Sequence, residues 1–199
     1  MNRVGLLVGV TVAALGLATP AAAQTGTTTE PTFDLAAGYQ FVRAGEVCGE
    51  VEGQDTCAAG RVFPAGFAVD AARNFGAFGL VAEGGWSYDS GDGANVQLWH
   101  AAAGPRWSAR GNPRIWPYVQ VLAGVGVSHV SADGTSGGDD TSANFLVQPG
   151  AGVTFVAGDG WGLFGQVDYR RLVLDKDENF GASGRNDVRV FLGARMILD

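Results

Sequence analysis

Apolar residues alternate with small or polar residues along eight stretches of the chain. In the first stretch Phe33, Leu35, Ala37, Tyr39 and Phe41 take every second position. Because successive side chains of a β-strand point to opposite faces, each stretch predicts a strand with one apolar face and one small, polar face. The predicted strands are Thr32–Arg43, Arg61–Ala72, Phe75–Tyr88, Asn95–Ala109, Trp116–His129, Ala143–Val156, Trp161–Leu172 and Asp187–Leu198.

The lengths of these strands and of their connections indicate a membrane barrel. A β-strand crosses a bilayer at a tilt with about 9–11 residues, and each predicted strand is long enough. The connections alternate for the most part between longer ones (44–60, 89–94, 130–142, 173–186) and shorter ones (73–74, 110–115, 157–160). Long outer loops and short periplasmic turns are typical of barrels with both termini in the periplasm. We therefore predict an all-β fold, an eight-stranded antiparallel up-and-down transmembrane β-barrel over residues 32–199.

The non-apolar face of the strands is mostly glycine with a few charges, which suits the crowded interior of a narrow barrel. The apolar face is then expected to contact lipid, with aromatic residues near the strand ends as interfacial girdles. An unpaired buried charge is very costly, so the inward charges should form a paired network, with Arg106 and Asp168 as partners. The expected members are Glu83, Arg106, Asp168, Arg170 and Arg189. We expect this network to fill the interior as a structural plug.

Two prolines count against simple strands. Pro105 and Pro149 fall inside predicted strands, and proline cannot donate a hydrogen bond to a neighbouring strand. We expect a β-bulge at each of them.

The N-terminus has the features of an export signal. Arg3 is followed by the apolar stretch 4–17 and by the small residues Ala21-Ala22-Ala23, which predicts a signal peptide over 1–23. The Thr-rich segment 24–31 is expected to be a flexible lead-in. In an oxidising compartment, Cys48 and Cys57 are expected to form a disulfide in the first outer loop.

Composition excludes several classes of function. The chain carries a net charge of −7, which argues against nucleic acid as a partner. Charged residues make up only 17%, fewer than a soluble β domain carries on its surface. No cofactor and no metal site are expected. The long connections are acidic, through Glu46, Glu50, Glu52 and Asp55, then Asp133, Asp139 and Asp140, then Asp175, Asp177 and Glu178.

Several local motifs resemble those of one family. They are Gly104-Pro105-Arg106, Pro117-Tyr118-Val119-Gln120, Val167-Asp168-Tyr169 and the C-terminal stretch 188–198. With the signal peptide and the eight alternating stretches, they resemble the small outer-membrane barrels of the OmpA/OmpX and opacity-protein type. The C-terminal stretch is similar to the assembly signal of that family, although Asp199 stands in place of the usual final aromatic residue. The resemblance implies the outer membrane of a Gram-negative-type bacterium and contact with the barrel-assembly machinery.

Two further motifs carry candidate chemistry. His129 and Ser131 form a His-x-Ser element at the outer end of the fifth strand, and a lipid A deacylase of the outer membrane uses such an element. A hydrolase would also need an orienting acid and an oxyanion hole, for which the sequence offers no residues, so no catalytic residues are predicted. Residues 175–179 begin like a calcium loop, but Phe180 replaces the glycine that its tight turn needs.

The expected function follows from the architecture. We expect an integral outer-membrane protein with a structural, adhesive or surface-interaction role, no open pore and no enzyme activity. Its partners should be outer-membrane lipid, lipopolysaccharide and a host or surface ligand at the outer loops. The alternatives are an outer-membrane lipid hydrolase using His129 and Ser131, and a soluble periplasmic lipocalin-like binding barrel.

Overall fold

A computed structural model describes residues 32–51, 54–91, 94–132, 140–158, 160–173 and 184–198. The predicted signal peptide, the lead-in and the calcium-like segment lie outside these residues. Within the described part of the chain, no helix is long and apolar enough to cross a membrane. The strands are β1 (Phe33–Ala44), β2 (Val47–Val51), β3 (Gln54–Ala58), β4 (Arg61–Phe63), β5 (Ala65–Phe75), β6 (Phe78–Gly91), β7 (Ala94–Ser108), β8 (Ile115–Ala132), β9 (Asp140–Gly158), β10 (Trp161–Val173) and β11 (Arg185–Leu198).

Eight of these strands form a closed antiparallel barrel. From β5 to β11 each strand pairs with the next in the chain, and β1 pairs with both β5 and β11. The ring is closed, so no strand edge of the wall is left unpaired, which is the condition for a strand structure in lipid. The eight predicted strands correspond to these eight with small shifts at their ends.

The outer end of the barrel departs from the sequence prediction at two places. The predicted strand Arg61–Ala72 is divided at Pro64 into β4 and β5, which both pair with β1. Proline has no N–H to donate there. In addition, β2 and β3 pair as a separate two-stranded hairpin within the segment that we expected to be loop.

The two internal prolines do not cause the expected bulges. Pro105 lies opposite Leu80 and Pro149 lies opposite Val121, and the register is the same on either side of each proline. At each proline, the pairing with one neighbouring strand is interrupted without a change of register. Between β7 and β8, for instance, the gap lies between the pairs Ala103↔Ala123 and Arg106↔Gln120. The prediction of bulges was therefore wrong: losing one hydrogen bond does not require an extra residue.

The exterior of the barrel is apolar, as the alternation predicts. Outward side chains such as Val119, Val121 and Leu163 are about half exposed, and no soluble barrel presents such a surface to water over most of its wall. The soluble lipocalin-like alternative is therefore wrong.

Aromatic residues lie towards both ends of this apolar band. One row, towards the outer end, joins neighbouring strands through register partners: Tyr39, Phe67, Trp86 and Trp99. A second row lies at the periplasmic end: Phe75, Phe78 and Trp107. Along β6 the two rows are eight residues apart, about 20 Å along the membrane normal for a strand tilted by about 40°. This spacing fits the apolar band of a transmembrane barrel, which is about 25 Å tall.

Candidate functional site: the charged interior of the barrel

The interior of the barrel is filled by side chains, and many of them are charged. The inward positions of β5, β6, β7, β10 and β11 carry buried acids and bases. Glycines on the same face leave the space for them: a Cβ added at Gly150 would lie 2.9 Å from Cγ of Asp168. The small residues that the sequence places on this face therefore make room for long polar side chains, as expected for a narrow barrel.

Arg189 on β11 is the centre of an upper cluster, which we define as Glu83, His100, Asp168, Arg170 and Arg189. Its side chain is fully buried. Nη2 lies 2.7 Å from Oε2 of Glu83, and Nε donates to Oδ2 of Asp168 at 2.8 Å. Glu83 is on β6, three strands away from β11 around the wall, so this ion pair crosses the lumen.

His100 and Arg170 complete the upper cluster. Arg170 donates from Nε to Oε1 of Gln148 at 2.7 Å, and its Nη2 lies 2.9 Å from Nε2 of His100. Nη1 of Arg189 lies 3.3 Å from the same imidazole nitrogen. Oε1 of Glu83 also lies 3.2 Å from this nitrogen. Because both arginines can only donate hydrogen bonds, we assign Nε2 of His100 as their acceptor and place the ring proton on Nδ1. Glu83 is held in turn by Nε2 of Gln148 at 2.9 Å.

Arg106 belongs to a second, lower cluster, and its expected pairing with Asp168 was wrong. Nη2 of Arg106 lies 2.9 Å from Oδ2 of Asp70, and Nε donates to Oε1 of Gln120 at 2.9 Å. Arg195 reaches the same Asp70 oxygen at 3.4 Å. The two guanidinium groups lie over the ring of Tyr118, each 4.8 Å from its centroid. Cation–π contacts of this kind partly compensate for two buried cations that share one carboxylate.

The tilt of the strands explains the wrong pairing. Arg106 and Asp168 lie in one row of register partners, through Gln120 and Gly150. In a barrel with tilted strands such a row climbs around the wall, so residues of one row lie at different heights. The residue that faces Arg106 across the lumen is therefore Asp70, on another strand.

Four further charged residues of the interior and its rims were not included in the predicted network: Asp34, Asp70, Asp187 and Arg195. The alternation places all of them on the inward face: the neighbours of Asp34, Asp70 and Asp187 at every second position are small or polar, and Arg195 follows Gly193 on the same face. The alternation could therefore have identified these residues as inward, but nothing in the sequence indicated that they join the five residues expected in the network. Asp34 accepts from Nδ2 of Asn74 at 3.1 Å near the periplasmic end, and Asp187 pairs with Arg185 at 2.8 Å near the outer end.

The His-x-Ser element lies on the outward face of β8. Nδ1 of His129 is 2.9 Å from Oγ1 of Thr141, and within the described residues no acidic side chain pairs with this histidine. The orienting acid that a hydrolase needs is therefore not found among them. In the same part of the chain no group of three or more His, Cys, Asp or Glu side chains is arranged to hold a metal ion.

Comparison with known proteins gives structural likeness only. No protein-family model matches the sequence, and no curated protein matches it significantly. Among solved structures, the Neisserial surface protein A (NspA) matches with a TM-score of 0.62 at 10% identity, over 84% of this chain and 97% of that one. OprG from Pseudomonas aeruginosa matches with a TM-score of 0.55 at 10% identity, over 84% and 95%. Ail, the attachment invasion locus protein of Yersinia pestis, matches with a TM-score of 0.51 at 15% identity, over 84% and 100%.

These neighbours confirm the predicted fold, and they agree with the predicted location in the outer membrane. The closed ring, the apolar exterior with its two aromatic rows and the charged interior are all features of that architecture. The chain is thus a small eight-stranded β-barrel of the outer-membrane type.

Proposed function

We propose that this barrel is a non-conducting, non-enzymatic outer-membrane protein that presents its outer end to partners at the cell surface. The observation that carries the proposal is the upper cluster. Arg189 connects β11 to Glu83 on β6, His100 on β7, Asp168 on β10 and, at 3.2 Å, Gln40 on β1. Since these bonds cross the lumen at one level, an ion would have to break them to pass.

The absence of a pore can be tested in planar bilayers. The refolded barrel is expected to give no stable conductance steps, because eight strands leave an interior only wide enough for side chains. Arg189 and Asp168, which fill this space, are fully buried. The heat-denatured protein in the same detergent is the control for detergent artefacts. Reproducible steps from the folded protein alone would contradict the proposal.

The surface role is supported by the outer end of the chain. The connections at this end are acidic and long, and β8 and β9, with 18 and 19 residues, exceed the length that a bilayer crossing needs. Such strands project beyond the membrane. Ail, which shares the fold, is named the attachment invasion locus protein, and we carry an adhesive role over to this chain as a proposal.

We further propose that the outer rim contacts a phosphorylated outer-leaflet lipid such as lipopolysaccharide. A cleft of about 510 Å³ lies beside β1 and β4, with Phe41, Arg43 and Val62 in its wall. Arg43 is exposed on the lipid-facing side and makes no hydrogen bond or ion pair with another described residue. It lies four residues beyond Tyr39, which belongs to the outer aromatic row, and therefore at the depth of lipid headgroups.

Arg43→Gln is expected to weaken lipid A binding to the refolded barrel in micelles by about tenfold, since a guanidinium–phosphate contact is lost. Arg73→Gln is the matched control, because Arg73 is also exposed but lies at the periplasmic end of β5. Dephosphorylated lipid A should not distinguish Arg43→Gln from the original protein. An equal loss for both variants would contradict the proposed site.

The disulfide remains a prediction that the hairpin supports. Cys48 and Cys57 are register partners in the β2–β3 pair. Directly opposed residues of an antiparallel pair have Cα atoms about 4.5–5.5 Å apart, within the range that a disulfide spans. The stabilisation should be about 2–3 kcal/mol at most, since the closed loop is short. Thiol labelling of the unreduced native protein is expected to modify neither cysteine, and two labelled thiols would contradict the prediction.

A further inference from the structure

A small pocket lies at the outer end of the barrel, above the upper cluster. It has a volume of about 100 Å³ and is bordered mostly by inward residues of β7 to β11. Arg170 and His100 at its base are buried, whereas Ser142 at its rim is exposed and Asn144 is half-buried. The pocket therefore runs from the outer surface down to a buried guanidinium group.

Arg170 is the unusual member of this base. Its two hydrogen bonds go to Gln148 and to His100, which are uncharged in the arrangement described above. Within the described part of the chain, no carboxylate lies within ion-pair distance of Arg170, and its Nη1 has no hydrogen-bond partner. Arg189, by contrast, pairs with two carboxylates. A buried guanidinium group with an unused N–H donor favours the binding of an anion, because the anion supplies both a hydrogen-bond acceptor and an opposite charge.

The walls of the pocket offer further polar groups on one side and apolar groups on the other. Oγ of Ser128 lies 2.7 Å from Oγ of Ser142, and Asn144 donates to Ser142 at 3.4 Å. These hydroxyl and amide groups can turn to donate to a bound oxygen. The apolar side consists of three leucines, Leu98, Leu146 and Leu172.

The charge of the pocket limits the kind of anion. Arg170 and Arg185 face it with Asp187, and Arg185 and Asp187 already pair at 2.8 Å. Arg170 is therefore the one cation among the described lining residues without a carboxylate in contact, while the second carboxylate held by Arg189 balances its charge within the upper cluster. A carboxylate carries one negative charge and can pair with this single guanidinium group. A phosphate monoester carries a charge of about −1.5 to −2 and would leave part of its charge unpaired in a desolvated site.

We propose that this pocket binds the carboxylate of a small acidic molecule, such as an acidic sugar or its end group on a surface glycan. The carboxylate pairs with Nη1 of the Arg170 guanidinium group. The rim hydroxyls and Asn144 hold its oxygens or neighbouring hydroxyl groups, and the leucines contact the carbon skeleton. The inference deepens the proposed surface role, and it rests on the outward orientation of this end of the barrel.

The test is a titration of the refolded barrel in micelles with glucuronate, followed by the NMR signals of the Arg170 and Asn144 side-chain N–H groups. We expect saturable shifts at millimolar glucuronate and none with glucose, which lacks the carboxylate. Arg170→Gln should weaken binding by about tenfold or more, the loss that removal of a charge-assisted hydrogen bond predicts. Sodium chloride at equal ionic strength should produce no saturable shift.

Because Arg170 also supports the upper cluster, Ser142→Leu is the second variant. It fills the exposed rim, leaves the buried bonds in place, and should also weaken glucuronate binding by about tenfold. Arg171→Gln removes a neighbouring charge on the outward face of β10 and should leave binding unchanged. Equal responses to glucose or chloride, tighter binding of inorganic phosphate, or unaltered affinity in Ser142→Leu would each overturn the proposal. A conducting barrel would overturn the proposed function instead, so the two failures are distinguishable.

Discussion

Replacing Arg189 with methionine is expected to lower the free energy of unfolding of the barrel by about 3–5 kcal/mol, the cost of breaking a buried ion pair from one side. A methionine side chain fills much of the volume of the arginine side chain but has no N–H groups that donate hydrogen bonds. Glu83 and Asp168, whose carboxylates both contact Arg189 at 2.7 Å, would be left without their main partner in the middle of the lumen. Urea-induced unfolding in lipid vesicles measures the change.

Arg171→Met is the matched control, because Arg171 has one hydrogen bond, to Asn186 at 2.7 Å, on the outward face of the adjacent strand. Its effect should remain within about 0.5 kcal/mol. Adding Glu83→Gln and Asp168→Asn to Arg189→Met should recover part of the lost stability, since the uncompensated charges are then removed. Equal stability of Arg189→Met and the original protein would show that the cluster does not hold the barrel together.

Gly193→Val is expected to prevent closure of the ring in most molecules of the protein. The cost in free energy should be about 3 kcal/mol or more, because the atoms that obstruct the valine side chain belong to the backbone. Gly193 on β11 and Gly38 on β1 are direct partners at the seam where the last strand meets the first. A Cβ added at either glycine would lie 2.7 Å from the Cα of the other. The fraction of protein that becomes resistant to protease after refolding into vesicles measures closure.

Ala194→Val provides the control for this prediction. Ala194 is the next residue of β11 and is exposed on the lipid-facing side, where an added methyl group meets acyl chains instead of backbone. Its refolding yield should match that of the original sequence. If Gly193→Val also refolded normally, β1 and β11 would have to pair in another register than the one described.

The strands and their inward and outward faces were predictable because both depend on local features. Alternation over ten or more residues identifies a strand, and a face made of glycine with a few charges can only be accommodated inside a narrow barrel. Glu83 and Arg189 could therefore be assigned to the interior from their positions in the alternation. The β2–β3 hairpin was not predicted, since a short alternation among acidic and small residues also fits a loop.

The partners across the lumen were not predictable, as Arg106 shows. Its strand and its inward direction follow from the sequence, but its partner depends on the tilt and stagger of eight strands. These set which rows meet at a given height, and they bring Asp70 to Arg106 at 2.9 Å. Likewise, only the packed interior shows that Arg170 pairs with Gln148 and His100 instead of a carboxylate.

By itself, the sequence determined the barrel class, the number of strands and the face that each residue presents, because alternation and glycine content act within one strand. The tertiary structure alone decided the ion pairs, the seam between Gly38 and Gly193 and the pocket above Arg170. These features join residues that are distant in sequence, and their positions depend on how the closed ring is tilted, a property of all eight strands together.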